Sequence, residues 1–315
     1  MRLSYVFEKT KEFIYQFSVI VLITLVSVAV QSATPQGDAI IRYNTIHHPI
    51  IARDGMVVSQ RVIASEVGRD ILQKGGNAVD AAVATGFALA VTLPRAGNVG
   101  GGGFMLIHLA ELKETIAIDY RETAPRAAHR DLFIGSDGEV DNNVARYSLK
   151  SSGVPGTVAG LTYALEHYGT MSLREVIKPA VQLAGNGFEV SWDLSENLKS
   201  RREFLSKNPA TKKTFFKPDG SPYEAGDTLK QPELAKTLKL ISRKGAAAFY
   251  QGEIAEKIVA EMEKGGGLIT RQDLADYKVA IRKPIVGAFR GYKVVSMPPT
   301  SSGGVHVVQM LNILS

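Results

Sequence analysis

Cysteine is absent from the 315 residues. That excludes a disulfide framework, a thiolate metal site and a cysteine nucleophile. Other common catalytic signatures are missing too. There is no G-x-S-x-G, so no serine nucleophile elbow. There is no S-x-x-K and no H-E-x-x-H, and no Gly-Lys dipeptide that could form a Walker A loop. Histidine is scarce, with 6 in the chain. His47-His48 is the one adjacent pair, and neighbouring side chains point apart; His108, His129, His167 and His306 are isolated. No metal and no cofactor is expected. Neither sign of charge dominates, with 37 Lys+Arg against 31 Asp+Glu. A nucleic-acid partner would need a clustered basic stripe with stacking aromatics. Lys199–Lys217 offers only Phe204, Phe215 and Phe216, so none is expected.

What is present is a globular composition. Hydrophobic residues make up 45% and charged residues 22%, which rules out disorder, collagen-like repeats and coiled coil as the main architecture. Length gives room for two domains or one large one. The first segment reads as an address. A charged start containing Arg2, Lys9 and Lys11 precedes an apolar run from Phe17 to Val30, followed by small residues at Ser32 and Ala33. This is the order of a secretory signal, and the run is short for a membrane span, which needs about 20 residues. Residues 1–32 are expected to be a signal peptide of a periplasmic or secreted protein; an uncleaved membrane anchor is the alternative.

Periodicity then predicts a short strand at Met56–Ser59, a helix over Val62–Lys74 and a buried, Ala-rich helix over Ala78–Val91, capped by Asn77. Phe104–Ala110 and Thr115–Arg121 alternate as a β-hairpin. Ser172-Leu173-Arg174-Glu175 is a capping box whose helix closes at Gly185. Trp192–Lys217 reads as a solvated helix followed by a loop. Helical periodicity resumes over Glu233–Lys244 and Glu253–Lys264. A strand pair, Ile285–Phe289 and Lys293–Met297, turns at Arg290-Gly291, and a last helix begins near Val305. Helices before and after strand pairs indicate a layered α+β fold.

Two places carry chemistry. Gly100–Gly103 puts four glycines before a strand, where they allow positive φ and close backbone approach. The run is either a tight helix-to-strand connection or an active-site wall. Asp119-Tyr120-Arg121-Glu122 puts an arginine at a strand end. Its planar fork suits bidentate capture of a carboxylate; Asp119 or Glu122 could equally hold it in a structural ion pair.

Six segments in order, the glycine run with Phe104, Asp119–Pro125, Gly153–Gly160, Gly267–Thr270, Asp273–Tyr277 and Pro298–Gly304, together resemble the γ-glutamyltranspeptidase (glutathione hydrolase) family. The resemblance implies an N-terminal-nucleophile hydrolase with an α-β-β-α sandwich, here incomplete. It implies a precursor that cuts itself into a large and a small subunit. The new N-terminal threonine then attacks a γ-glutamyl amide with its own α-amine as base. The acyl group of glutathione or another γ-glutamyl substrate passes to water, an amino acid or a peptide. Arg121 matches the arginine that grips the substrate α-carboxylate, and Asp119 and Glu122 are assigned to orient it. Thr300 lies in the large-subunit motif and is not the nucleophile. That threonine is expected beyond Ser315, so residues 33–315 read as a large-subunit region that stops before the processing threonine, needs the small subunit and is inactive alone. The alternatives are a non-catalytic γ-glutamyl-peptide binding protein, and a related acylase or poly-γ-glutamate depolymerase.

Overall fold

The computed structural model describes residues 50–315, and Arg53–Ser315 form one compact unit. The expected signal segment and His47-His48 lie outside the described residues.

Two helices open the unit, α1 (Val62–Gln73) and α2 (Ala78–Thr92). Asn77 caps α2: its side-chain oxygen accepts the N–H groups of Val79 and Asp80 at 2.9 and 3.0 Å. Asp80 returns the bond to the Asn77 N–H at 2.7 Å, closing the box. As expected for a helix apolar on most sides, α2 is almost wholly buried. On α1, Ile71 is buried and Ile63, Val67 and Leu72 pack against the core, but Val62, apolar as well, does not. Val62 is 75% exposed, and Ala64, Gly68 and Ile71 form the buried face. The two helices approach closely at Gly68, where a Cβ would stand 2.3 Å from the Thr85 hydroxyl of α2. Met56–Ser59 is not a strand; it pairs with no other strand among the described residues.

The hairpin follows as β1 (Phe104–Leu109) and β2 (Glu114–Asp119), in antiparallel register from Phe104↔Asp119 to Leu109↔Glu114. Next come α3 (Asn142–Tyr147), α4 (Thr157–Tyr168) and α5 (Leu173–Asn186). The Ser172–Glu175 capping box forms as read. The helix runs one turn-residue past Gly185 and stops at Gly187, whose φ of 98° suits glycine. The segment Trp192–Lys217 holds more structure than one helix and a loop. It contains α6 (Trp192–Ser200), α7 (Arg202–Leu205) and α8 (Pro209–Phe215), the last started by Asn208 as cap and Pro209 at its first position. The short paired strands β3 (Phe188–Glu189) and β4 (Thr228–Leu229) stand before and after these three helices, and α9 (Pro232–Lys244), α10 (Ala247–Tyr250), α11 (Glu253–Gly265) and α12 (Arg271–Ala275) follow.

β5 (Ala280–Arg282) joins the edge of β2, giving the sheet order β1-β2-β5. β6 (Ile285–Phe289) and β7 (Tyr292–Ser296) form the last hairpin, and α13 (Gly303–Ile313) packs against it. Its turn is Arg290-Gly291, both with positive φ (48° and 84°), the geometry that matches strand twist.

The main sheet carries helices on one face. Ile107 and Ile118 enter a core with Val83 and Phe87 of α2 and Val158 and Leu161 of α4. On the other face Leu106 and His108 are exposed, and no helix covers them among the described residues. A helical layer against one sheet is one half of an α-β-β-α stack.

Candidate functional site

β2 ends at Asp119, and the ladder continues for one further step. Tyr120 donates its N–H to Gly103 at 3.0 Å and accepts from the Gly103 N–H at 3.2 Å. Its side chain is buried, and glycines enclose it. A Cβ on Gly103 would meet the Tyr120 ring at 2.8 Å, and one on Gly160 would meet it at 2.0 Å. A Cβ on Gly156 would stand 2.0 Å from the Tyr120 carbonyl oxygen. The Gly101 carbonyl accepts from the N–H groups of Gly156 and Thr157 at 2.7 and 2.9 Å, satisfying two of the free donors at the start of α4. The glycine run is therefore the tight connection. None of its four members has a positive φ, so close approach, not left-handed backbone, is what requires glycine.

With Tyr120 pinned inward, Arg121 emerges on the surface side. It lines a cleft of 380 Å³ together with Asp119, Glu122, Thr123, Tyr277, Lys278, Ala280, Arg282 and Thr300. All three residues singled out from sequence thus meet in one place, in distinct roles. Glu122 pairs with the guanidinium, Oε2 to Nε at 3.2 Å. That edge contact leaves the Arg121 side chain 59% exposed. The Phe104 ring lies beneath it, with its centroid 5.9 Å from the guanidinium carbon. Asp119 does not touch the guanidinium. Its buried carboxylate accepts the Arg121 backbone N–H at 3.0 Å and the Arg282 Nε–H at 2.7 Å.

Sequence reasoning assigned no role to Arg282 or Tyr277. The Tyr277 hydroxyl donates to the Arg121 carbonyl at 2.9 Å. Its ring stacks on Tyr250, with centroids 5.5 Å apart and planes within 10°. Tyr250 in turn donates to the Pro155 carbonyl at 2.8 Å and accepts the Ala159 N–H at 3.2 Å. A further tie comes from Asp273, which caps α12 through Thr270 and accepts the Arg126 N–H at 3.0 Å. The motif segments found apart in the chain therefore converge behind one arginine.

Burial pushes the Tyr120 hydroxyl up to about 12. Burial also raises Tyr277, reinforced by the negative charges of Asp119 and Glu122, and it raises Tyr250. All three stay protonated as donors at neutral pH. The unfolded chain ionises its tyrosines first, so it binds fewer protons at alkaline pH and stability falls as pH rises. Tyr120 stabilises in full below pH 10, and up to about 3 kcal/mol of that is lost as pH climbs to about 12. Urea unfolding along an alkaline series should show this slope, and Tyr120→Phe should lessen it while Tyr250 and Tyr277 keep the remainder; an unchanged slope in the variant would mean Tyr120 contributes nothing to it.

Among the described residues, no group of three or more His, Asp or Glu could hold a metal ion. No described helix is long and apolar enough to cross a membrane.

An arginine in a cleft at the edge of a sheet covered by helices on one face fits one half of an α-β-β-α sandwich, and comparison with known proteins identifies the class. The sequence profile described as Gamma-glutamyltranspeptidase matches residues 64–315. The glutathione hydrolase proenzyme of Escherichia coli K12 is 52% identical over 269 residues, covering 85% of this chain and 46% of that protein. The acylase ACY 1 proenzyme of Pseudomonas sp. strain V22 is 39% identical over 272 residues, covering 84% of this chain and 48% of that protein. The crystal structure of Helicobacter pylori γ-glutamyltranspeptidase superposes with a TM-score of 0.82 at 49% identity, covering 84% of this chain and 76% of that one. The chain belongs to the γ-glutamyltranspeptidase family and has its N-terminal-nucleophile hydrolase fold. It spans about half the length of the curated relatives it matches.

Proposed function

We propose that this chain is the large-subunit portion of an enzyme that hydrolyses glutathione and transfers the γ-glutamyl group of related compounds. The observation that carries the reading is the Arg121 fork, partly free at the mouth of the cleft while its backbone is fixed. A γ-glutamyl group ends in an α-carboxylate, and a guanidinium binds a carboxylate through two parallel charge-assisted bonds. Gripping that end holds the γ-amide at a set distance from a nucleophile, which converts binding into orientation. The nucleophile is a threonine of the small subunit, outside these 315 residues, freed when the precursor cuts itself. It forms a γ-glutamyl-threonine intermediate that water, an amino acid or a peptide resolves. The relatives named as glutathione hydrolase proenzymes support both the substrate and the processing. The apolar run Phe17–Val30 supports export to the periplasm or beyond, with residues 1–32 removed. The match to an acylase supports amide hydrolysis on another acyl group as the second reading.

The test compares γ-glutamyl-p-nitroanilide with 4-aminobutyryl-p-nitroanilide, which lacks only the α-carboxylate. The full-length proenzyme should release p-nitroaniline from the first and hardly from the second, and residues 33–315 alone should release none. Equal turnover of the two substrates would remove the carboxylate reading. Turnover by residues 33–315 without a partner would remove the assignment of the nucleophile to a small subunit.

A further inference from the structure

We propose that Arg282 and Tyr277 are positioning residues that clamp the main chain of Arg121 from its two sides. The inference rests on the carboxylate-gripping role of Arg121 given above.

Tyr120 is the last residue of its strand with ladder partners, since its N–H and C=O are both taken by Gly103. Arg121 is the first residue beyond the ladder, and side chains replace the missing strand. Its N–H is held by Asp119 Oδ1 at 3.0 Å, and its C=O by the Tyr277 hydroxyl at 2.9 Å. Neither holder stands alone. Asp119 is 6% exposed, and a buried carboxylate without a counter-charge is costly. Arg282 supplies that charge, its Nε–H on Oδ2 at 2.7 Å. Tyr277 is fixed by stacking on Tyr250, which is bonded to the backbone at Pro155 and Ala159. Both anchors come from the segment around β5, more than 150 residues along the chain from Arg121. Residue 121 is thus held at both peptide groups, while its guanidinium meets Glu122 only at the Nε edge. The clamp fixes where the fork sits without using its terminal nitrogens, as a pre-organised binding group requires.

The experiment uses the full-length proenzyme with γ-glutamyl-p-nitroanilide and reads KM and kcat separately. Tyr277→Phe keeps the ring and its stacking and removes only the hydroxyl. Its KM should rise about 3- to 10-fold, the worth of one hydrogen bond, with little change in kcat. Arg282→Ala should raise KM further, about 10- to 100-fold, because a displacement near 1 Å is enough for that. Arg282→Lys keeps the charge beside Asp119 and should recover part of the loss. The same substitutions are then made on an Arg121→Ala background, where neither should raise KM again, since there is no fork left to place. A general structural defect would instead add in full on that background, and this result overturns the proposal. So does an unchanged KM in Tyr277→Phe, the variant least able to disturb folding. If Arg121→Ala itself leaves KM unchanged, the carboxylate reading fails and the clamp with it. If Arg121→Ala raises KM while Tyr277→Phe and Arg282→Ala do not, the clamp alone fails.

Discussion

Arg121→Lys in the full-length proenzyme is expected to raise KM for γ-glutamyl-p-nitroanilide about 10- to 100-fold. Charge is kept, so a purely Coulombic role would leave binding nearly intact. What is lost is the planar fork, which engages both oxygens of a carboxylate while its Nε edge still faces Glu122 at 3.2 Å. An ammonium is a point charge on a flexible stem and cannot do both. A hydrogen bond to a charged group is worth about 1.5–3 kcal/mol, which sets the expected range. Self-cleavage of the precursor should go to completion in the variant, because the role proposed for Arg121 is at the substrate end remote from the scissile bond. Steady-state kinetics equal to wild type would sink the carboxylate role.

Gly160→Ala is expected to be among the most destabilising single substitutions in the described residues. The added methyl would lie 2.0, 2.4 and 2.5 Å from the Cγ, Cδ1 and Cβ atoms of Tyr120. Tyr120 cannot retreat, because Gly103 and Gly156 close it in and its backbone is in the ladder. Overpacking at such a site costs about 3 kcal/mol or more. At about 2–4 °C per kcal/mol, the melting temperature should fall by roughly 6–12 °C. Gly185→Ala on α5 is the control. There the nearest atom is the Ala235 Cβ at 3.7 Å, an ordinary contact, and a helical alanine should stabilise by up to about 1 kcal/mol. Thermal melts followed by circular dichroism separate the two. Similar melting temperatures for both variants would show that α4 does not pack on Tyr120 as described.

Local chemistry was legible where it acts within a few residues. The caps at Asn77 and Ser172 and the turn at Arg290-Gly291 depend on neighbouring backbone and were placed correctly. Arg121 with Asp119 and Glu122 was legible because the three share one strand end, and they do line one cleft. How each acts was not legible. Asp119 serves the backbone of Arg121 and not its guanidinium, which follows from Arg282 arriving across β5. That partner is 163 residues away in the chain, and nothing local marks it. The one available signal was the extended run Lys278–Arg282 before Pro284, which could have been read as a strand. The close approach of α1 to α2 at Gly68 was equally illegible. A missing side chain leaves no hydropathy signal, so the contact that seats one helix on the other goes unmarked.

The glycine cage around Tyr120 bears on how such a cleft can diversify. Gly102, Gly103, Gly156 and Gly160 all face atoms closer than 3 Å to any added side chain. Those positions are closed to change, so the backbone that carries Arg121 is constrained by geometry alone. Lys278 and Thr300 line the same cleft from loops outside the cage. Substitutions that reshape the cleft without disturbing its frame are therefore confined to such rim positions, while Arg121 stays where the cage puts it.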